Sequence, residues 1–555
     1  MARAIRSRRS RAALGAALRS GSLALICAAP AAAALQTAVS DPFDAGLRWE
    51  EAPPNGEIDL PRSVAFSAGG DLLLAGGSLA GGSVELLGGQ LESGGAPKLA
   101  DDPLWSGSIG PIEVLSASDP RYLYALGQFE APGGLKRTRL ARYSAYLGAQ
   151  PGAWSPIWSI ELPYDSQGVA RWSGPEQGRE PWIAMHDGNT DQLHVLRIDP
   201  LTGAVAFDVA LSGGLPTSAA LFDNGARFAV AHADRVEVFE ALGGSAAAIQ
   251  LSSACSALAA GAQDNALWVA SAGRVERWSE GADNAWSVKG SVFANAFEVP
   301  TALDVSADGV HAVAGWWYAT TGRAVRFAHL EFTDGAIASV DLISHDAPTS
   351  SFQDFPASVD VSDDGRRAAA GRWGAGNALT GLGPGPEAYL FDLEQNEVLL
   401  GADLTGSVMD VAVDASGRRL AVAHKSLHAN QFGTTGSVRL YATGEGQLAL
   451  DRTARPGASL WVRLNQPGAL DAWLVLGVPA PAAVVVPGVQ GELLLDLAKV
   501  LWIEPAPPDA AGQSQVGLAV PANPALVGLD FGLQAASFDG AELRLGAEML
   551  RPPVL

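Results

Sequence analysis

A motif that returns about eight times constrains this chain more than anything else in it. An apolar alternating strand leads into a Ser/Asp/Gly turn and then into a second apolar strand that ends in small residues. The motif is plainest in TALDVSADGVHAVAG from Thr301, ASVDVSDDGRRAAAG from Ala357 and VMDVAVDASGRRLAVAH from Val408. Degraded copies start at Ser63, Ile112, Gly168, Thr217 and Cys255, which places successive starts about 49 residues apart. In the turns, Asp and Ser offer oxygens to local amides while Gly supplies the positive φ that closes a tight hairpin. Most units continue with a third strand, such as LHVLRID at Leu193, RVEVFE at Arg235 and SVRLYA at Ser437. A weaker fourth strand follows, as in AVAFDVAL from Ala204.

Four short strands per unit cannot bury both faces of a sheet alone, so the units must stack on one another around an axis. The expected fold is therefore all-β: a β-propeller of eight blades, alternatively seven, over residues 35–451. From about Arg452 the turns of the repeat stop, while alternation persists between Pro/Gly breaks. A small β-sandwich is expected there, over residues 452–555. The repeat pattern resembles the WD40-like and YVTN-type β-propeller repeats of exported bacterial proteins, over roughly residues 60–450. That resemblance implies that the strand before each turn lines a central channel. In the tail, Val520 to Gly528 and Phe531 to Ala535 resemble a segment of the C-terminal β-sandwich module attached to many exported bacterial proteins. It implies a surface or extracellular accessory module.

The first residues are a separate object. Arg3, Arg6, Arg8, Arg9, Arg11 and Arg19 precede an apolar run through Leu23, Leu25 and Ile26 and an alanine tract from Ala28. A basic region, a short apolar region and small residues at the cleavage site read as a secretory signal peptide over residues 1–34. The product is expected in the periplasm, at the cell surface or outside the cell. Cys27 leaves a lipid-anchored form open. No later stretch approaches the length of a membrane span. The formal charge is -22, and losing six arginines would make it about -28. Such a chain repels phosphate backbones, so nucleic acid is not an expected partner. Cys255 would be the one cysteine left, which excludes an internal disulfide.

Three groups of residues are candidates for a site. Asp304, Asp360 and Asp410 recur at one register of the presumed inner strand in three consecutive units. Facing the channel, they would suit a cation or a basic ligand. Turned sideways, they would bond backbone amides of the adjacent blade. Trp316, Trp317 and Trp373 stand in or beside loops, where exposed rings could stack on sugars or hold peptides; Trp154 and Trp158 are similarly placed. His186, Asp187 and His194 lie in one hairpin and could contribute to a metal site or form a polar turn.

The Asp-x-Ser-x-Asp-Gly runs from Asp304 and Asp360 open like a calcium loop. Gly315 and Gly371 stand where its bidentate Glu belongs, so no metal is expected. IDPLTGAVAFD from Ile198 resembles one blade motif of quinone-dependent propeller dehydrogenases, with Phe207 near the position of their docking Trp. Motifs for a nucleophilic serine, a phosphate loop or a dinucleotide are missing, and no cofactor is expected. The leading reading is an exported, non-enzymatic binding or scaffolding protein with a protein or glycan ligand. The alternative is a propeller enzyme of glycosidase, lyase or quinoprotein type with its site at the channel mouth.

Overall fold

The computed structural model describes residues 46–550, apart from short segments that fall mostly between strands. The proposed signal peptide and most of the Val520 to Gly528 segment lie outside the described residues. Strands dominate, and the helical structure among the described residues is one 3-10 turn, Pro103–Trp105.

The chain from 46 to 442 makes eight four-stranded antiparallel sheets. In chain order they span 60–102, 108–165, 170–212, 216–250, 255–293, 298–345, 356–402 and 407–442, and are called sheets 1 to 8 here. Sheet 8 takes its fourth strand from the other end of the chain, Gly46–Glu51, which pairs with Gly436–Ala442. Each pair of consecutive sheets shares a hydrophobic cluster. Between sheets 3 and 4 it contains Trp182, Val195, Phe228 and Phe239; between sheets 6 and 7 it contains Val313, Phe327, Ala370 and Phe391. A further cluster joins Val64, Leu73 and Ala75 of sheet 1 to Ala421, Ala423 and Leu440 of sheet 8. The sheets therefore form a closed ring, a β-propeller. The outermost strands alternate in exposure, as in Val205–Ser212, and the two middle strands are almost wholly buried, as in Trp182–Asp187.

Local chemistry of the repeat explains these elements. In sheet 6, Ser306 donates its hydroxyl to Asp308 at 2.6 Å, and Asp308 accepts the Val310 N–H at 3.0 Å. The Ser306 hydroxyl also accepts the His311 N–H at 3.0 Å. Ser362, Asp364 and Arg367 repeat this arrangement in sheet 7, with Gly365 at φ +70°. The oxygens that looked like opening calcium ligands are thus engaged in closing hairpins. Small residues at the end of the second strand serve a different need. A Cβ at Gly371 would lie 2.4 Å from Val408 Cγ1, and one at Gly315 would lie 2.7 Å from the Pro356 side chain. Sheets 6 to 8 can approach this closely only because those positions carry no side chain.

The Gly46–Glu51 strand was not foreseen from the sequence, and it closes the ring. Glu50 accepts hydrogen bonds from the Ser437 hydroxyl at 2.6 Å and from Arg439 at 3.1 Å. Beyond residue 442 a three-stranded sheet, Leu448–Leu450, Ser459–Asn465 and Gln513–Ala519, faces a five-stranded one. The larger sheet runs in the order Val489–Gln490, Leu543–Leu550, Gly532–Phe538, Asp471–Val485, Glu492–Pro505. Leu460, Val462 and Leu464 of the smaller sheet share a core with Leu474, Leu533 and Ala535 of the larger. Leu448–Leu450 belongs to these C-terminal sheets. Pairing within the C-terminal sheets thus begins at Leu448, after sheet 8 ends at Ala442.

Replacing a strand glycine with alanine normally stabilises by about 0.5–1 kcal/mol. At Gly371 the clash with Val408 outweighs that gain, so Gly371→Ala should destabilise by about 1–3 kcal/mol in urea unfolding. Adding Val408→Ala should recover part of the loss relative to Val408→Ala alone. A neutral or stabilising Gly371→Ala would refute the close-approach account.

Candidate functional site at one rim of the ring

The first strand of each sheet has an unpaired inner edge, and its amides must find partners there. Asp304, Asp360 and Asp410 supply them. Asp304 accepts the Val361 N–H of sheet 7 at 2.7 Å, and Asp360 accepts the Val413 N–H of sheet 8 at 2.6 Å. Asp410 accepts the Val64 N–H of sheet 1 at 3.0 Å, and the Ser358 hydroxyl at 2.7 Å. Serines do the same elsewhere: Ser63 accepts the Val114 N–H at 3.2 Å, and Ser218 the Leu258 N–H at 3.1 Å. The three carboxyls act as clasps between sheets, but not from the one register expected. Asp304 and Asp360 pair with Val313 and Ala369, whereas Asp410 pairs with Ala423 and stands at the position of Ser358, because the turn of sheet 8 begins two residues further along its strand.

Burial raises the pKa of all three. Asp304 is pushed up to about 6, mainly by desolvation, against the pull of its backbone hydrogen bonds. Asp360 is held well above the usual carboxylate range by desolvation and by the Asp304 charge beside it. Asp410 is raised by desolvation. Asp304 and Asp360 share a hydrogen bond. Two carboxyls can share one only if one of the pair is protonated.

The tryptophans divide. Trp316 and Trp317 are neighbours on one strand, so their side chains leave opposite faces. Trp316 is buried among Trp268, Ala314 and Ala328 between sheets 5 and 6, with the Arg326 guanidinium 4.9 Å from its ring. Trp317 points toward sheet 7 and meets Phe355 at 5.5 Å. Phe355 in turn meets Trp373 at 4.9 Å, and Trp373 stands edge-on to His428 at 6.2 Å. Four rings thus cross sheets 6 to 8 at the rim where second strands end and first strands begin. Trp317, Phe355 and Trp373 are half-buried and His428 is buried.

Beneath the row lies a buried ionic scaffold. Arg372 donates to Asp354, to the Pro386 carbonyl at 2.8 Å and to the Gly385 carbonyl at 2.9 Å. Asp354 also accepts the N–H groups of Phe355 at 2.9 Å and Gly374 at 2.8 Å. The backbone N–H of Trp373 donates to the Phe355 carbonyl at 2.9 Å, and the Trp373 carbonyl accepts the Ser407 hydroxyl at 2.8 Å. His428 donates from Nε2 to the Gln353 carbonyl at 2.7 Å and accepts the Asn430 N–H on Nδ1 at 3.1 Å. That pattern requires the neutral ring, and desolvation lowers its pKa accordingly. Glu387 accepts the Leu404 N–H at 2.7 Å, and burial pushes its pKa up to about 8 despite nearby Arg372.

No protein-family model matches the chain, and no curated protein does. Among solved structures it is similar to the C-terminal WD40 domain of Sif2, with 13% identity, 71% of this chain and 98% of that one covered, and a TM-score of 0.47. It is also similar to the β-propeller domain of Myceliophteria thermophila Cps50 (Swd1), with 14% identity, 58% and 98% covered, and a TM-score of 0.40.

Other candidates are placed apart. His186 meets Asp191 at 2.9 Å, whereas His194 meets Asp208 at 2.9 Å and stacks on Tyr164. Among the described residues no group of three His, Cys, Asp or Glu side chains could hold a metal ion. Asp199 of the DPLTG segment caps its own turn through Leu201 and Thr202, and Phe207 packs on Trp182 at 5.8 Å. Trp154 packs at a tilt on Tyr143, and Trp158 stands edge-on to Tyr124. Cys255 is buried, and desolvation pushes its thiol up to about 12.

Sequence reasoning missed Phe355, His428, Asp354 and Arg372. A signal was present for some of them. Aligning the repeats on Gly315, Gly371 and Ala423 makes Trp316, Arg372 and His424 equivalent, and Trp317, Trp373 and Lys425 equivalent.

The raised carboxyls set a pH dependence. A folded-state pKa above the unfolded value means that the folded chain holds extra protons from about pH 4 to the raised pKa. Stability therefore falls as pH rises through that window. With Asp304 near 6 the loss is on the order of 1–3 kcal/mol. Asp360→Asn mimics the protonated acid, accepting from Val413 and donating to Asp304. Urea midpoints should show the variant equal to the native chain at pH 5 and more stable at pH 8. Equal pH slopes for the two would contradict the clasp chemistry.

Proposed function

We propose that this chain is an exported, non-enzymatic binding or scaffolding protein. Its eight-bladed propeller is the interaction platform, and the aromatic rim is the contact surface for an apolar or aromatic side chain of a partner protein. The observation that carries this reading is the row Trp317, Phe355, Trp373 and His428, mounted on Asp354 and Arg372. Ring-bearing residues whose backbone is already held by hydrogen bonds lose little entropy on binding, and tryptophans dominate contact energies where they meet a partner. The three inner-strand aspartates are bonded to neighbouring sheets, so they do not supply the separated carboxylate pair that a glycosidase uses. The reading as an exported protein rests on the arginine-rich start followed by an apolar run and an alanine tract. The two C-terminal sheets, with a core of their own, are read as a separate β-sandwich module.

A peptide-display selection on the purified mature chain should enrich sequences with an aromatic or large aliphatic anchor. Trp373→Ala and Trp317→Ala should each weaken the selected peptides by about tenfold or more while the melting temperature changes little. Peptides that bind both variants unchanged would rule out the rim. Mass spectrometry of the mature protein should find an N-terminus near Leu35. An intact Met1 start would remove export from the reading.

A further inference from the structure

The larger C-terminal sheet ends in the strand Glu492–Pro505, whose one strand partner among the described residues is Asp471–Val485. Near its start, Gln534 occupies backbone groups that the ladder leaves over: it accepts the Leu494 N–H at 3.0 Å and donates to the Glu492 carbonyl at 2.7 Å. From Val500 to Pro505 no such cap is found among the described residues, and the side chains there are mostly apolar. Leu501 is 62% exposed, Trp502 58% and Ile503 57%, and Leu497 just before them is 65% exposed. Trp502 pairs with Leu476 and Glu504 with Leu474, so both lie on the core-facing side of the sheet. The three-stranded sheet does not cover that side, since Trp502 stays open to solvent. An open apolar edge is a template for another strand.

This edge is its own complement about a two-fold axis. Pairing passes from Leu476–Trp502 to Gly477–Val500, so Leu501 is an extra residue, a bulge. The bulge puts Lys499, Trp502 and Glu504 on one face of the strand, and Val500 and Ile503 on the other. When two copies meet antiparallel with Trp502 opposite Trp502, Lys499 of each falls opposite Glu504 of the other, and Val500 opposite Ile503. The Trp502 ring is already held, by donation of its N–H to Glu504 at 2.6 Å. Lys499 makes an exposed local pair with Asp496 at 3.1 Å, which costs little to exchange. The exposed parts of Leu497, Leu501, Trp502 and Ile503 amount to about 500 Å² per copy, so a pair buries about 1,000 Å², the lower bound for a specific interface.

We propose that a second copy of this chain pairs with the edge at Val500–Pro505, antiparallel and two-fold symmetric, so that the five-stranded sheet continues across both copies. Charge pairs at the two ends set the register, and the apolar centre supplies the affinity. An interface at the lower size bound gives a reversible dimer with Kd on the order of micromolar to tens of micromolar.

Sedimentation velocity of the full mature chain between about 1 and 200 µM should show monomer passing to dimer. Trp502→Asp, at an exposed position, sets two like charges on the axis. It should weaken dimerisation about tenfold or more with the melting temperature nearly unchanged. Lys499→Glu and Glu504→Lys should each weaken self-association about fivefold or more, because each brings like charges opposite one another. Mixed in equal amounts, these two variants should form a heterodimer at close to native affinity, since every facing pair is then of opposite charge. Trp373→Ala should leave the dimer intact, which separates this edge from the rim. The proposal is overturned if the native chain stays monomeric to about 200 µM, if Trp502→Asp dimerises like the native chain, if Trp373→Ala abolishes the dimer, or if the mixed charge variants associate no better than either alone.

Discussion

The ring depends on how the inner edges of its sheets are satisfied. A four-stranded sheet standing on edge beside its neighbour presents unpaired amides that neither its own strands nor bulk water can serve. Asp304, Asp360, Asp410, Ser63 and Ser218 reach across the gap and accept them. Each bond ties one sheet to the next, and the bond from Asp410 to Val64 joins the last sheet to the first. The close approach that makes these bonds short is in turn permitted by Gly315 and Gly371. Hydrogen bonding at the inner edge and small residues on the second strand are two halves of one packing solution.

That solution has an electrostatic consequence. Carboxyls drawn between sheets lose hydration, so they hold protons that a surface aspartate would release. The same withdrawal from solvent governs the rim. Arg372 and Asp354 are buried as a pair, with every nitrogen of the guanidinium directed to an oxygen, and they fix the segments that carry Phe355 and Trp373. A row of half-buried rings holds its shape only with this kind of support, because the rings alone would rotate and collapse on one another.

The repeat, its turns and its small residues were legible along the chain because each is a local pattern that recurs. Ser306, Asp308 and Gly309 act within one hairpin, and their roles follow from spacing alone. Trp316 and Trp317 were legible as a pair but not as opposites in function. Strand alternation separates them, and only the neighbouring sheets decide which face is core and which is rim. Phe355 and His428 carried no signal of their own, since they sit outside the strands: Phe355 lies just before the first strand of sheet 7, beside Trp373 at the end of its second, and His428 reaches Trp373 from a loop of sheet 8. The closing strand, Gly46–Glu51, was invisible for a related reason: it has no turn of the repeat beside it, and its partner lies 389 residues away at Arg439.

By itself, then, the sequence determined a stack of four-stranded units of about 49 residues, their hairpin turns and a second β-region after them. Those properties arise from contacts between residues a few positions apart, and such contacts leave a period in the chain. Ring closure, the sideways turn of the three aspartates and the division of the tryptophans were decided only in three dimensions. Each depends on which surfaces meet between separate sheets, and burial there, rather than spacing, sets whether a side chain is clasp, core or contact.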